Sequence, residues 1–408
     1  MANILYLVHR IPYPPDKGDK VRSYNLLKHL VARGHQVFLG TFVDDPADRV
    51  HVDTLRAMCA DVCAVPLHPV VAKLRSLVAL VQGTPLTLRY YDNAMLHQWV
   101  RRTVSAQPQS ACIVFSSSMA QYAPKSSALP MLLDLVDVDS AKWADFADAH
   151  AWPLSWMYRR EAALLLGYER KAVSRAARAF LVTENEVALF DRLAPECRGH
   201  VAALSNGVDS DHFVPNEVST SPFSPSEIPV VFTGAMDYWP NIDAVAWFVQ
   251  SMLPELRLRW PTLRFHIVGR NPTAAVRALK GDAVSVSGTV PDVRPYLQHA
   301  AVVTAPLRLA RGVQNKVLEA MAMGRPVVCA AACAQAIGAQ PGIHLCAAQD
   351  ASDYVTSISK LVAEPDAAGS IGEAGRRFVV DRYSWEARLA PLDKILEWLE
   401  RGPIPGGP

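Results

Sequence analysis

The 408-residue chain has little net charge: 41 Lys and Arg stand against 39 Asp and Glu, a formal net of +2. Bulk electrostatics therefore gives no support to nucleic-acid binding, and any basic patch must be local. No run of eighteen uncharged apolar residues occurs, so no segment is predicted to span a membrane. The opening MANILYLVHRIPYPPDKGDK holds too short an apolar stretch, and no basic start, for a secretory signal. Seven cysteines are an odd number without a Cys-x-x-Cys pair, which suits a reducing cytoplasm better than a disulfide framework. The histidines form no His-x-x-His or Glu-x-x-His pattern, so a zinc site is not expected. No short internal repeat is visible either.

What is present is length and alternation. A chain of this size exceeds the usual ceiling of about 250–300 residues for one core, which predicts two domains. Residues 3–9 read as a buried strand. Residues 19–32 carry Val21, Tyr24, Leu27 and Leu30 at helical spacing, Gly34 ends that helix, and residues 35–42 return to strand. This is the start of a doubly wound parallel sheet, of the α/β class. Further strands are expected at 62–67, 111–116, 131–136, 179–183 and 201–205, and residues 139–177 read as helical with a break near Trp152-Pro153. The linker is 206–229, where Asn-Gly, four prolines and several serines break every periodic pattern. A second strand series follows at 230–235, 264–269, 284–287, 301–305, 327–330 and 343–346. The expected organisation is thus 1–205, a linker 206–229, a second Rossmann-like domain 230–383, and an amphipathic helix 384–408 packing across both.

Residues 311–328, RGVQNKVLEAMAMGRPVV, place a glycine turn, an amphipathic helix and a Gly-Arg-Pro exit between two apolar segments. A helix opening near Gly312 to Asn315 leaves its first N–H groups without partners, and its dipole favours an anion there. Arg308, Arg311 and Lys316 crowd that end, and Glu319 sits one turn further in, where a carboxylate accepts hydroxyls. An ordinary strand-to-helix turn with a solvated basic rim would give the same string.

Together, SNGVD at 205–209, Glu319-Ala320-Met321, the Gly324 to Val328 exit and Tyr383-Ser384-Trp385 resemble glycosyltransferase family 4 over nearly the whole chain. PYPPDKGDKVRSYNLL, FTGAMDYWPNIDA and RGVQNKVLEAMAMG are similar, more narrowly, to the sugar transferases of bacterial exopolysaccharide and PEP-CTERM systems. The resemblance implies a GT-B fold, two Rossmann-like domains facing a cleft, with the nucleotide-sugar donor on the C-terminal one and transfer with retention. It places Glu319 on the donor ribose, Val313, Gln314 and Asn315 with Gly312 and Lys316 on the diphosphate, Gly18 and Gly234 at phosphate-facing turns, and main chain at Val290 near the base. Two departures stand out. Arg311 occupies the position of the family's first glutamate, and the segment 234–241 lacks the usual basic pair, so Arg308, Arg311 and Lys316 are expected to supply that charge.

Other candidates remain open. Gly18 either lets the first loop approach a ligand or serves a turn needing positive φ. Asp137 is expected on the acceptor side, as a hydrogen-bond acceptor or base, and Asp139 as a helix N-cap. Where family members often carry a histidine, this chain reads Ser116-Ser117-Ser118. The aromatic and basic run WPLSWMYRR suits either a membrane surface or ordinary packing. The expected function is a cytoplasmic retaining transferase, with possible peripheral contact with the inner membrane, acting on a glycan or lipid-linked glycan. The alternatives are a sugar-nucleotide 2-epimerase of the same fold and a non-catalytic nucleotide-sugar-binding protein.

Overall fold

A computed structural model describes residues 2–15, 18–125, 129–216, 218–308 and 313–401. The chain divides into two compact units, one of residues up to Asn206 together with those from Arg388, the other Gly207–Ala387.

The first unit is built on β1 (Asn3–Val8), β2 (Gln36–Val43), β3 (Asp61–Pro66), β4 (Ala111–Phe115), β5 (Met131–Val136), β6 (Arg178–Leu181) and β7 (Val201–Ala203). They form an all-parallel sheet in the order β3-β2-β1-β4-β5-β6-β7. Runs such as ACIVF in β4 are buried at every residue, as strands covered on both faces must be. The helices used below are α1 (Gly18–Ala32), α2 (Pro69–Ser76), α3 (Ala79–Gln82), α4 (Leu86–Tyr90), α5 (Asp139–Ala149) and α6 (Leu154–Arg175). The break at Trp152-Pro153 therefore separates α5 from α6, as the sequence indicates.

One face of α1 departs from its apolar spacing. Leu27 and Leu30 are buried, but so are Lys20 and Arg22, while Val21 and Tyr24 are only half-buried. The reason is two buried carboxylates. Lys20 Nζ lies 2.7 Å from Asp48 Oδ2, and the Arg22 guanidinium donates to both Asp134 oxygens, at 2.7 and 3.0 Å. Arg22 also donates to Asn206 Oδ1 at 3.0 Å. A charge is tolerated in a core only when paired in this way.

The second unit repeats the pattern with β8 (Ile228–Thr233), β9 (Leu263–Val268), β10 (Val284–Gly288), β11 (Val302–Ala305), β12 (Val327–Ala330) and β13 (Cys346–Ala348). Its parallel sheet runs β10-β9-β8-β11-β12-β13. The strand expected at 343–346 starts three residues later. Residues 340–344 are a turn instead, with Ile343 N and His344 N both donating to Gln340 O and Gly342 at φ +81°. The helices α7 (Trp239–Ser251) and α8 (Asn315–Ala322) flank this sheet, and α9 (Trp385–Arg401) ends the described chain. Leu389, Leu392 and Leu396 of α9 are buried, and Asp393 lies 2.7 Å from Nε2 of His29 on α1 and 3.0 Å from Arg33, the residue that follows α1.

Each sheet reverses its strand order once, between β1 and β4 and between β8 and β11. Open α/β sheets bind ligands outside the carboxyl ends of strands at such points. Both candidate sites lie there.

Candidate functional site

In the second unit, glycine closes three adjacent strands. Gly234 follows β8, Gly269 follows β9 and Gly288 ends β10, all at positive φ (+154°, +154° and +72°). The first two are in direct backbone contact: a Cβ on Gly269 would lie 1.7 Å from Gly234 O. A Cβ on Gly234 would meet Asn241 Nδ2 at 2.8 Å and Lys316 Nζ at 3.0 Å. These turns therefore leave bare main chain beside an ammonium group.

Lys316 comes from the first turn of α8. Its Nζ donates to Asn241 Oδ1 and sits 4.2 Å from the centre of the Phe232 ring, while Asn241 Nδ2 donates to Ala235 O at 2.8 Å. An ammonium group from a later element thus stands beside 234–241, a segment with no basic residue of its own. Desolvation pulls the Lys316 pKa down to about 7 despite Glu319, and pushes that of Glu319 up to about 7 despite Lys316. The two stand at i and i+3 and share a helix face. Neutralising both is the response of charged groups held away from water without enough counter-charge. A third polar group nearby is orphaned: the Oγ1 of Thr233, buried before Gly234, has no hydrogen-bond partner.

The remaining expected residues divide. Val313 and Val290 are half-buried and pack on the core of the second unit, and Gln314 and Asn315 open α8 as its N-cap and first residue. Arg308 does not add uncompensated charge. Its guanidinium is taken by both oxygens of Asp243 on α7 and lies 5.4 Å from the centre of the Trp247 ring. Arg311 and Gly312, like Lys17, lie outside the described residues.

In the first unit, a cavity of about 660 Å³ opens at the ends of β1 and β4. His9, Ser116, Tyr90, Tyr91, Asp139 and Trp143 are among its lining. The His9 ring stacks on Phe115 with centres 5.8 Å apart, and its Nε2 is 3.4 Å from Asp19. Burial works against the Asp19 carboxylate, yet His9 and Arg10 beside it hold its pKa well below the usual range. Two non-glycine residues at adjacent strand ends adopt left-handed backbone, Ser116 at φ +76° and Val136 at φ +69°. Val136 is held there by its N–H, which donates to Asp134 Oδ1 at 3.2 Å. Strain of this kind clusters at functional sites.

Asp137 follows the strained Val136. Its carboxylate and that of Asp139 both engage Lys142, at 2.8 and 3.2 Å. The N-cap of α5 is Val138 and not Asp139, which occupies the first turn, where its charge still meets the helix dipole favourably. Gly18 is the first residue of α1, and its φ lies outside the left-handed region, so no turn there needs glycine. A Cβ at Gly18 would meet nothing within 4 Å.

Sequence reading missed Asn241, Gly269 and His9. A signal existed for Gly269, because VVFTG and FHIVG are the same apolar strand ending in glycine. Among the described residues no three of His, Cys, Asp and Glu come together as metal ligands, and no helix is long and apolar enough to cross a membrane.

Residues 227–364 match the family model described as Glycosyl transferases group 1. Among solved structures, sucrose-phosphate synthase from Thermosynechococcus elongatus superimposes with a TM-score of 0.67 at 18% identity, covering 99% of this chain and 100% of that one. HepE of Anabaena in complex with UDP and glucose gives 0.62 at 14%, covering 97% and 100%. WaaG, a glycosyltransferase involved in lipopolysaccharide biosynthesis, gives 0.60 at 15%, covering 98% and 100%. No curated protein sequence matches the chain. The fold is GT-B, and the match of residues 227–364 to the glycosyl transferases group 1 model agrees with the expectation of a glycosyltransferase.

Proposed function

We propose that the chain transfers a sugar, with retention, from a nucleotide diphosphate-sugar to a hydroxyl of a growing, lipid-linked glycan, as in the exopolysaccharide and PEP-CTERM subgroup of family 4. The observation that carries the donor side is Lys316 Nζ seated beside the bare Gly234 turn, with Glu319 one helical turn further on. In this reading the diphosphate lies against Gly234, Val313 to Asn315 and Lys316, and restores the charge that desolvation takes from the ammonium. Glu319 accepts the ribose hydroxyls, and main chain at Val290 borders the base. As the bond from the anomeric carbon to the diphosphate breaks and the bond to the acceptor oxygen forms, Lys316 and the N–H groups opening α8 meet the developing negative charge, with no metal ion. Asp137 and the cavity at His9 and Ser116 belong to the acceptor side, and Gly18 is assigned to the donor phosphates. Arg308 shapes the donor side through Asp243, and Arg311 is assigned the place of the family's first glutamate. The protein works in the cytoplasm, in peripheral contact with the inner membrane through the segment WPLSWMYRR.

The test is release of nucleoside diphosphate from a panel of UDP-, GDP- and ADP-sugars, read by mass spectrometry alongside thermal shift. UDP-sugars come first, since a neighbour of the same fold was solved with UDP-glucose. Release from one donor supports the transferase and identifies that donor. An epimerised sugar nucleotide formed without acceptor would replace it with an isomerase, and no response to any sugar nucleotide would end the donor-site reading.

A further inference from the structure

The segment between β3 and α4 inverts the usual amphipathic helix. Along α2 and α3 the buried stripe is Ala72, Ser76 and Ala79, small residues four and three apart. The large apolar side chains face the other way: Val70, Val71, Leu74, Leu77, Val78 and Val81 are exposed, from 46% at Leu77 to 92% at Val81. A helix that packs on its own core turns such residues inward, and a contiguous apolar patch left outside marks an interaction surface.

The patch is anchored rather than loose. Arg160 of α6 donates to Ala79 O at 2.6 Å and to Thr84 O at 3.3 Å, so its charge meets the carboxyl end of α3. The next residue, Glu161, accepts from Leu86 N at 2.6 Å and from Thr87 N and Oγ1 at 2.9 and 2.8 Å, at the start of α4. Trp156 stands one turn before Arg160 on α6. It is exposed, as are Trp152 and Leu154 at the α5–α6 break.

Positive charge borders the same patch. Lys73 and Arg75 lie within α2, and a shallow cavity of about 610 Å³ is lined by Arg75, Val78, Arg89, Asp92 and Arg101. Three guanidinium groups meet one carboxylate there. Arg89 binds that carboxylate at 2.8 Å, whereas Arg75 donates to the Asp92 main-chain oxygen. A positive surplus next to exposed aliphatic and indole side chains matches a bilayer surface, where anionic headgroups overlie the acyl boundary.

We propose that α2, α3 and the α5–α6 tip form a face that docks on an anionic phospholipid surface. This deepens the membrane side of the proposed function, by adding a main docking element and a lipid class. The larger cavity shares Lys73, Ser76 and Leu77 of α2 in its wall, so an amphiphilic acceptor held in the bilayer would meet it at the docked face.

The test is co-sedimentation of the full chain with phosphatidylcholine vesicles and with vesicles enriched in phosphatidylglycerol. The bound fraction should be at least ~10-fold greater on the anionic vesicles and should fall as salt is raised. The triple variant Leu74→Ser, Val78→Ser, Val81→Ser should lose ~10-fold or more of the binding, because the apolar contact is gone. Leu258→Ser, which removes an exposed leucine of the second unit, should leave binding unchanged. Arg75→Gln with Arg101→Gln should erase the preference for the anionic vesicles. Equal sedimentation of the triple variant and the parent overturns the proposal. So does a parent that ignores vesicles but self-associates through these three residues, which would make the face a contact between copies of the chain. Nucleoside diphosphate release from soluble donor, measured on the same triple variant, should persist. Its loss in parent and variant alike would count against the transferase reading and leave the docking result standing.

Discussion

Lys316 is held where its own charge is costly, with a pKa lowered to about 7 and a glutamate raised to about 7 on the same helix face. An arriving anion favours the charged ammonium and offsets its desolvation. Lys316→Ala should lower nucleoside diphosphate release by ~10²–10³-fold, the range for losing one preorganised charge-stabilising donor. Unchanged turnover in a folded variant would remove Lys316 from the mechanism. Glu169 shows burial acting elsewhere. It is fully buried on α6 and accepts from Ser140 N at 3.2 Å and Ser140 Oγ at 2.5 Å, yet burial raises its pKa to about 8. A carboxyl raised in the fold stabilises below its unfolded pKa and loses that contribution as pH rises through the folded value. Stability should therefore fall between about pH 4.5 and 8, by up to ~1.4 kcal/mol per unit. Urea unfolding of Glu169→Gln at pH 5 and 8 should show that part of the slope removed; an unchanged slope would assign it elsewhere. Lys316 and Glu319 were legible in the sequence because a helix start fixes their spacing. Asn241, which accepts from Lys316, was not, because an asparagine inside WPNIDA carries no periodic signature.

At the scale of elements, the carboxyl ends of β8 and β9 depend on two peptides touching. Gly269→Ala would drive a Cβ into Gly234 O and also strain a backbone at φ +154°. The expected cost is about 3 kcal/mol or more, among the larger single-residue effects, together with weakened donor binding as the Gly234 turn shifts. Thermal melting and donor titration of the variant check both; a melting temperature equal to the parent's would contradict the contact. Most strands could be read from their apolar runs, since both sheets are parallel and covered on both sides. Two elements resisted for physical reasons. In α1 the inward face carries Lys20 and Arg22, which a hydrophobic pattern assigns to solvent, because their partners Asp48 and Asp134 lie far away in sequence. In α2 and α3 valine and leucine face outward, and only solvent exposure distinguishes them from a core stripe.

For the molecule as a whole, the first unit is not contiguous: it takes back the chain from Arg388 onward after the second unit is complete. Ending the chain at Ala387 would remove the buried Leu389, Leu392 and Leu396 and the Asp393 contacts to His29 and Arg33. At ~1.5–3 kcal/mol per buried leucine, the first unit should lose about 5 kcal/mol or more, while Gly207–Ala387 retains its own transition. Denaturant unfolding of the truncated chain checks this, and an unchanged midpoint would contradict it. The same arrangement sets an order in time. The unit made first on the ribosome is finished last, because its closing helix follows the whole second unit. At ~5–20 residues per second it waits roughly ten to forty seconds, with its α1 side still open. A chaperone that binds the nascent chain would find its longest-lived target there, while the second unit, synthesised without interruption, can fold as soon as it emerges.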